Sequence, residues 1–238
     1  MKGRFLDAVI AAGRGGRSIA LATELSTGRQ LLLDGDRTEG DLELDDTALS
    51  AMREALRGDR NVKLQRMAGG RVFVQVYSTP RRFFVVGAVH IAQPLVQMLS
   101  LADYATTVID PRLSFATQAR FPGVELATDW PDEALERLKP DHRSAIVTLT
   151  HDPKLDDPAL AVALRSDCFY IGALGSRRTH ARRCERLTEL GFTEADFTRI
   201  HAPIGLAIGA VSPGEIAVSI VAQMTEVLRR GAGRDLAA

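Results

Sequence analysis

The sequence predicts an α/β protein, with a Rossmann-like doubly wound parallel sheet preceded by a small α+β domain. Short apolar runs alternate with amphipathic helical patterns in the longer, later part of the chain. That alternation is typical of a parallel sheet covered by helices on both faces. The earlier part lacks it, and the proline-containing segment Ser78–Arg82 separates the two. We therefore expect one domain at residues 1–79 and another at residues 80–238.

In the smaller domain, two apolar runs flank a turn and predict a pair of strands. These are Ser18–Thr23 and Gln30–Asp34, on either side of Ser26-Thr27-Gly28. A helical pattern covers Thr47–Arg57, and a further strand is predicted at Val72–Tyr77.

The larger domain is predicted to contain five short strands rich in valine and isoleucine, with helices between them. The strands are Phe83–Val86, Thr107–Asp110, Val124–Ala127, Ala145–Leu149 and Phe169–Gly172. The helices lie near Ile91–Leu101, Pro131–Leu138, Pro158–Arg165 and Arg177–Leu190. A last helix is signalled by Ser212-Pro213-Gly214-Glu215, because serine caps a helix, proline suits its first position and Glu215 completes a capping box.

The composition excludes several classes of function. The 238 residues include 30 basic and 30 acidic side chains, so the net charge of zero gives no general affinity for nucleic acid. No apolar stretch approaches the roughly 20 residues of a membrane span, and the first residues do not form a signal peptide. The two cysteines fit neither a disulfide framework nor a zinc site. We therefore expect a cytoplasmic protein that holds no metal through its own side chains.

The first strand of the larger domain leads into a degraded dinucleotide-binding turn. Gly87 stands at the tight turn, but Val89 replaces the glycine that would let the backbone approach a pyrophosphate. NAD(P) binding is therefore not expected. Asp110, at the end of the second strand, either binds a ribose-like diol or caps the strand end with Arg112. His90 either faces the crevice or serves as a hydrogen-bonding group at the helix start.

The loop after the fourth strand is expected to face the same crevice, since ligands bind at the carboxyl ends of parallel strands. It places His151, Asp152 and Lys154 there, and His151 with Asp152 would form an acid–base pair or a polar clamp. Asp157 is predicted to cap the following helix, with Pro158 at its first position.

The strongest predicted site is the glycine turn after the fifth strand. Gly172 and Gly175 bracket a change from strand to helix, and Ser176, Arg177 and Arg178 follow. Backbone N–H groups and the helix dipole favour an anion at such a turn, and arginines bind phosphate strongly. The alternative is a turn with solvated arginines. The later arginines Arg182, Arg183 and Arg186 are predicted to form an exposed helix face or a partner-docking patch.

The glycine-punctuated segment His201–Ala210 leaves two possibilities open. Such a loop can close over a flat ring, because small residues permit close approach. It can equally be a tightly packed connection before the last helix.

With these segments in order, the chain resembles the XdhC/CoxI family of xanthine dehydrogenase accessory proteins. The resemblance rests on VVGAVHIAQPL, VIDPR, LTHDPKLDDPAL, YIGALGSRRTHARR and IHAPIGLAIGAVSPGEIAVSI, which together cover nearly all of Phe83–Leu228. It implies a cytoplasmic chaperone that binds molybdenum cofactor, supports its sulfuration and delivers it to a molybdenum hydroxylase such as xanthine dehydrogenase. Many relatives carry an SGGC-like segment in the N-terminal domain, whereas this chain has no cysteine before Cys168.

The resemblance gives the arginine-flanked glycine turn a ligand, the phosphate of molybdopterin. The predicted cofactor-binding residues are Gly87, His90, Asp110, His151, Asp152, Gly172, Gly175, Ser176, Arg177 and Arg178. A cysteine desulfurase and a second copy of the chain are further predicted partners. The alternatives are an NAD(P)-dependent oxidoreductase and a Rossmann domain kept only for protein docking. No catalytic residue is identified.

Overall fold

The structure, a computed structural model, describes residues 3–65 and 70–230. The chain divides into two compact units, Met1–Thr79 and Pro80–Ala238. The first unit contains an antiparallel sheet and the second a parallel one. The predicted mixed α/β class, with a Rossmann-like sheet in the larger unit, is confirmed.

The first unit is a five-stranded antiparallel sheet with one helix against each face. Its elements are α1 (Gly3–Arg14), β1 (Ile19–Glu24), β2 (Gln30–Asp34), β3 (Arg37–Gly40), α2 (Asp46–Arg57), β4 (Val62–Gln65) and β5 (Arg71–Tyr77). The strand order is β3-β2-β1-β5-β4. Alternate residues of β1 point to opposite faces, so Ala20 packs with Met52 of α2 while Leu21 packs with Phe5 of α1. The elements α1, β3 and β4 were not anticipated from the sequence.

The second unit is a six-stranded parallel sheet with the strand order of a Rossmann fold. Its elements are β6 (Arg82–Val86), α3 (Ala92–Leu101), β7 (Ala105–Ile109), β8 (Glu125–Ala127), α4 (Pro131–Leu138), β9 (Ser144–Thr148), α5 (Pro153–Arg165), β10 (Tyr170–Ala173), α6 (Arg177–Glu189), α7 (Glu194–Phe197), β11 (Ile200–His201) and α8 (Pro213–Arg230). The strands run β11-β10-β9-β6-β7-β8. The chain order therefore reverses between β6 and β9, where ligands bind in this class of fold.

Both faces of this sheet are buried, which explains why its strands are continuously apolar. Phe83 and Val85 face one cluster with α3 and α8, whereas Phe84 and Val86 face another with α5 and α6. Asp110, at the carboxyl end of β7, is also fully buried.

One predicted helix start is wrong. Helix α5 begins at Pro153 and is capped by Asp152, so Asp157 is not its cap and Pro158 lies inside the helix. The signal of an aspartate followed by proline occurs twice in this segment, and the earlier occurrence starts the helix. The capping box before α8 is confirmed, because Glu215 accepts the Ser212 N–H and donates its own N–H to Ser212 Oγ.

Within residues 3–65 and 70–230, no helix is both long enough and apolar enough to cross a membrane.

Candidate functional site

Three loops meet at the carboxyl edge of the parallel sheet, after β6, β9 and β10. Gly87 follows β6 with a φ of +107°, and a Cβ on it would lie 2.5 Å from Thr150 Cγ2 in the loop after β9. Glycine is needed here both for its backbone conformation and for this close approach. His90 is exposed at the end of the same turn, while Val89 is half-buried and packs against the core.

Both carboxylate oxygens of Asp110 accept hydrogen bonds from other residues of the protein. Its Oδ1 accepts the Arg112 N–H and Nε–H at 3.0 and 2.8 Å, and its Oδ2 accepts Arg112 Nη2 at 2.7 Å and the Ala88 N–H at 2.8 Å. Burial raises the pKa of this carboxyl, but the hydrogen bonds outweigh it and leave the pKa below its usual value. Of the two predicted roles, the structure shows the strand-end cap with Arg112.

A second buried aspartate, Asp156, shapes the loop after β9. It accepts the Thr150 hydroxyl at 2.6 Å, the Thr150 N–H at 3.4 Å and the His151 N–H at 3.1 Å. His151 has a φ of +63°, a conformation that a non-glycine residue adopts only when its surroundings hold it. Burial raises the pKa of Asp156, against the hydrogen bonds from Thr150. Sequence reasoning missed this residue.

The two other acids of the loop have structural partners. Asp152 accepts the Lys154 N–H at 3.0 Å as the cap of α5, and its side chain is exposed. Asp157 forms an ion pair with Arg186 of α6, whose Nη2 donates to Asp157 Oδ1 at 3.1 Å. Asp156 and Asp157 therefore both face α6, a contact that follows from α5 starting at Pro153.

The turn before α6 is the change from strand to helix on which the predicted anion site rests. Gly175 has a φ of +132°, and a Cβ on it would lie 3.1 Å from Thr179 Cγ2 and 3.5 Å from His151 Nδ1. Ser176 caps the helix by accepting the Thr179 N–H at 3.2 Å. The exposed Arg177 and Arg178 form its first turn. A helix start of this kind presents N–H groups without intrahelical partners.

Beside this turn lies a cleft of about 480 Å³ between the start of α5 and the exposed side of α6. The residues that line it are His151, Pro153, Asp156, Asp157, Arg178, Thr179, Arg182, Arg183 and Arg186. The lining includes four arginines and two aspartates. Arg178 lines the cleft, whereas the neighbouring Arg177 is not among these residues. The lining of the cleft is thus net cationic, and it lies beside the loop that follows β9.

The later arginines of α6 do not form the exposed face that the sequence predicted. Arg183 is buried, with 2% of its side chain exposed, and Arg186 is paired with Asp157. Only Arg182 of the three is exposed. The error arose because a helix rich in arginine was assumed to place all of them in water.

Gly172 lies inside β10 and apart from the turn, so the structure does not bring it to the cleft. A Cβ on Gly172 would lie 2.5 Å from Ile204 Cδ1. A Cβ on Gly205 would lie 2.2 Å from Ser219 Oγ of α8. Ile204 and Gly205 therefore pack closely against β10 and α8, whereas residues 207–209 of the segment are exposed.

His201 stacks on Tyr170, with ring centroids 4.9 Å apart. Burial lowers the pKa of His201 and raises that of Tyr170, whose hydroxyl donates to Gln223 Oε1 at 2.6 Å. The two residues belong to β10 and β11, and Tyr170 also packs in the cluster that includes α8.

Residues 83–224 match the family described as the XdhC Rossmann domain. The molybdenum cofactor insertion chaperone PaoD of Escherichia coli K12 is 38% identical over 87 residues, which is 37% of this chain and 27% of that protein. A probable xanthine dehydrogenase subunit of Bacillus subtilis 168 is 30% identical over 160 residues, or 67% of this chain and 46% of that protein. The chain spans less than half the length of either relative.

Among solved structures, a protein described as a xanthine dehydrogenase from Bacillus halodurans superposes with a TM-score of 0.75 at 25% identity. The match covers 95% of this chain and 67% of that one. It includes both units of the present chain, whereas the family match lies within the second.

Proposed function

Because the chain belongs to the XdhC Rossmann domain family, we propose that it is an accessory protein that binds molybdenum cofactor and supports its insertion into a molybdenum hydroxylase. The names of two relatives support this role, since one is a molybdenum cofactor insertion chaperone and the other is named as part of a probable xanthine dehydrogenase. The client would be an enzyme of the xanthine dehydrogenase type. The chaperone would act without catalysis of its own.

The observation that carries the proposal is the arginine-lined cleft beside the start of α6. Its volume of about 480 Å³ is within the range of small-molecule sites. Molybdopterin ends in a phosphate, and arginine side chains with a helix N-terminus are the donors that phosphate prefers in proteins. Gly175, Ser176 and Arg178 would hold this group at the turn, and His151 would lie next to it.

The hydrogen-bond donors at this turn suit the phosphate group of the molybdenum cofactor, which the chain would carry as cargo. The remaining predicted residues fit less directly. Asp110 is engaged by Arg112 and Ala88, so it supports the shape of the β6 turn and has no free oxygen for the ligand. Gly87 lets that turn approach Thr150, and the exposed His90 is positioned at its rim. We propose that these residues form the wall of the crevice on the β6 side.

The hydrogen bonds that Asp110 already accepts also argue against the alternative role as an oxidoreductase. In a dinucleotide-binding Rossmann domain, the acid at this position binds the ribose hydroxyls of NAD. Here both carboxylate oxygens are occupied, and Val89 stands where a glycine would let the pyrophosphate approach. We therefore expect no binding of NADH or NADPH.

Anaerobic titration of the purified chain with molybdopterin and with molybdenum cofactor tests the proposal, with NADH and NADPH in parallel. We expect micromolar or tighter binding of the pterin and none of the nucleotides. Nucleotide binding without pterin binding would contradict the chaperone role and support an oxidoreductase.

A matched pair of variants tests where the phosphate lies. Arg178→Ala should weaken cofactor binding about tenfold, because it removes a charge-assisted hydrogen bond of roughly 1.5 kcal/mol at an exposed position. Arg177→Ala makes the same change one residue away, outside the cleft lining, and should have the smaller effect. Equal affinities in wild type and both variants would refute the placement of the phosphate at this turn.

A further inference from the structure

Arg183 is a buried cation with few partners in the protein. Its Nη2 donates to the Leu174 carbonyl at 3.0 Å and lies 3.6 Å from Asp156 Oδ2. Its Nε and Nη1 have no hydrogen-bond partner among the residues that the structure describes. The side chain is only 2% exposed, yet it lines the cleft. A buried guanidinium with two unpartnered nitrogen atoms carries a large desolvation cost.

Asp156 offsets part of this charge from 3.6 Å, but it supplies no acceptor to Arg183 Nε or Nη1. Thr150 donates twice to Oδ1, and the His151 N–H donates to Oδ2. The ion pair with Arg183 is consequently long, beyond the distance of a charge-assisted hydrogen bond. Asp156 therefore holds the loop after β9, and two donor nitrogens of Arg183 are left for a further acceptor.

The rest of the cleft lining also leaves positive charge uncompensated. Arg186 is neutralised by Asp157, whereas Arg178 and Arg182 are exposed at the rim. With four arginines against two aspartates, the lining carries a formal surplus of two positive charges. Thr179 adds a hydroxyl, which contacts Ser176 Oγ at 3.0 Å.

We propose that this cleft is a binding site for the dianionic phosphate group of a phosphate monoester, with Arg183 as its interior ligand and Arg178 and Arg182 at its rim. The surplus of two positive charges matches the charge of such a group. The anion would complete the hydrogen bonding of the Arg183 guanidinium, which accounts for a buried arginine in a helix facing the cleft.

The proposal deepens the proposed function, on which it rests for the identity of the cargo. It adds one internal residue, Arg183, to the residues of the turn that would contact the phosphate in the proposed function. The site itself requires only a phosphate group, so inorganic phosphate can probe it.

The first test follows the Arg183 Nε–H resonance of the 238-residue wild-type chain by ¹H–¹⁵N NMR during titration with inorganic phosphate. We expect this resonance to shift with saturation, and the shift to be absent with equal concentrations of chloride. Because wild-type protein is used, the result does not depend on whether a variant folds. Phosphate binding that leaves the Arg183 resonance unmoved, or no binding at all, overturns the proposal.

Variants of Arg183 supply the second test, with binding of inorganic phosphate measured by calorimetry. Arg183→Met removes the guanidinium at similar volume and should weaken binding at least about tenfold. Arg183→Lys keeps the positive charge but loses the planar guanidinium, so it should retain part of the phosphate affinity. Arg53→Ala, an exposed arginine of α2 in the other unit, is the charge-matched control and should bind as wild type does. Full affinity in Arg183→Met overturns the proposal.

Molybdopterin titrations of the same variants separate this proposal from the proposed function. Phosphate binding that depends on Arg183, in a chain that does not bind molybdopterin, supports the site and contradicts the cofactor role. Molybdopterin binding that is unchanged in Arg183→Met contradicts the site and leaves the cofactor role standing.

Discussion

Two buried aspartates at the carboxyl edge of the sheet differ in what surrounds them. Asp110 is paired with Arg112 and accepts a backbone N–H, so its carboxylate is stabilised and its pKa is lowered. Asp156 is held mainly by Thr150 and His151, and burial raises its pKa. Both acids shape turns next to the site, since each accepts N–H groups from a loop that follows a strand.

Asp110→Asn should reduce the free energy of unfolding by roughly 3 kcal/mol at pH 7, at the low end of the range for buried ion pairs because Arg112 is partly exposed. The folded-state pKa of Asp110 lies below the ordinary value of 3.8. Its contribution is therefore present above that pH and is lost as the pH falls through the folded-state pKa. Urea unfolding at a series of pH values should show the two proteins converging in acid. A constant difference across that range would contradict this account.

At the level of secondary-structure elements, the start of α5 decides which side chains reach the cleft. Because Asp152 caps this helix, Asp156 is in its first turn and Asp157 faces Arg186 of α6. A helix starting at Pro158 would place both residues in the preceding loop. The five residues between the two possible starts therefore supply three of the nine lining residues, Pro153, Asp156 and Asp157.

Asn substitutions distinguish the two helix starts, since Asn caps a helix about as well as Asp does. Asp152→Ala should cost about 1 kcal/mol of stability and Asp152→Asn close to nothing. Asp157→Asn should destabilise by about 1 kcal/mol, because it removes the charge that pairs with the partly exposed Arg186. Urea denaturation of the three variants measures these differences. A neutral Asp157→Asn would instead favour Asp157 as the cap.

In the molecule as a whole, all residues of the cleft belong to the second unit. Each unit also has apolar clusters of its own, around α1 and α2 in the first and on both faces of the parallel sheet in the second. A unit with its own core can fold alone.

We predict that residues 80–238, produced alone, fold and bind inorganic phosphate with the affinity of the full chain. Circular dichroism and a phosphate titration of the fragment, compared with those of residues 1–238, measure both properties. A folded fragment that has lost affinity would show that the first unit contributes to the site.

Sequence alone was enough to predict the parallel sheet, most helix bounds, two of the three turn glycines and the family, because these depend on local periodicity, caps and ordered motifs. Gly87 and Gly175 were predicted correctly as turn residues for this reason, whereas the capping role of Ser176 was not predicted. The tertiary structure was needed to show that Arg183 is buried against Asp156, that Asp110 is used by Arg112, and that Gly172 packs under Ile204. The side chains of α6 contact α5 only when both helices have packed on the sheet. The local sequence pattern therefore does not predict which arginine of α6 becomes buried.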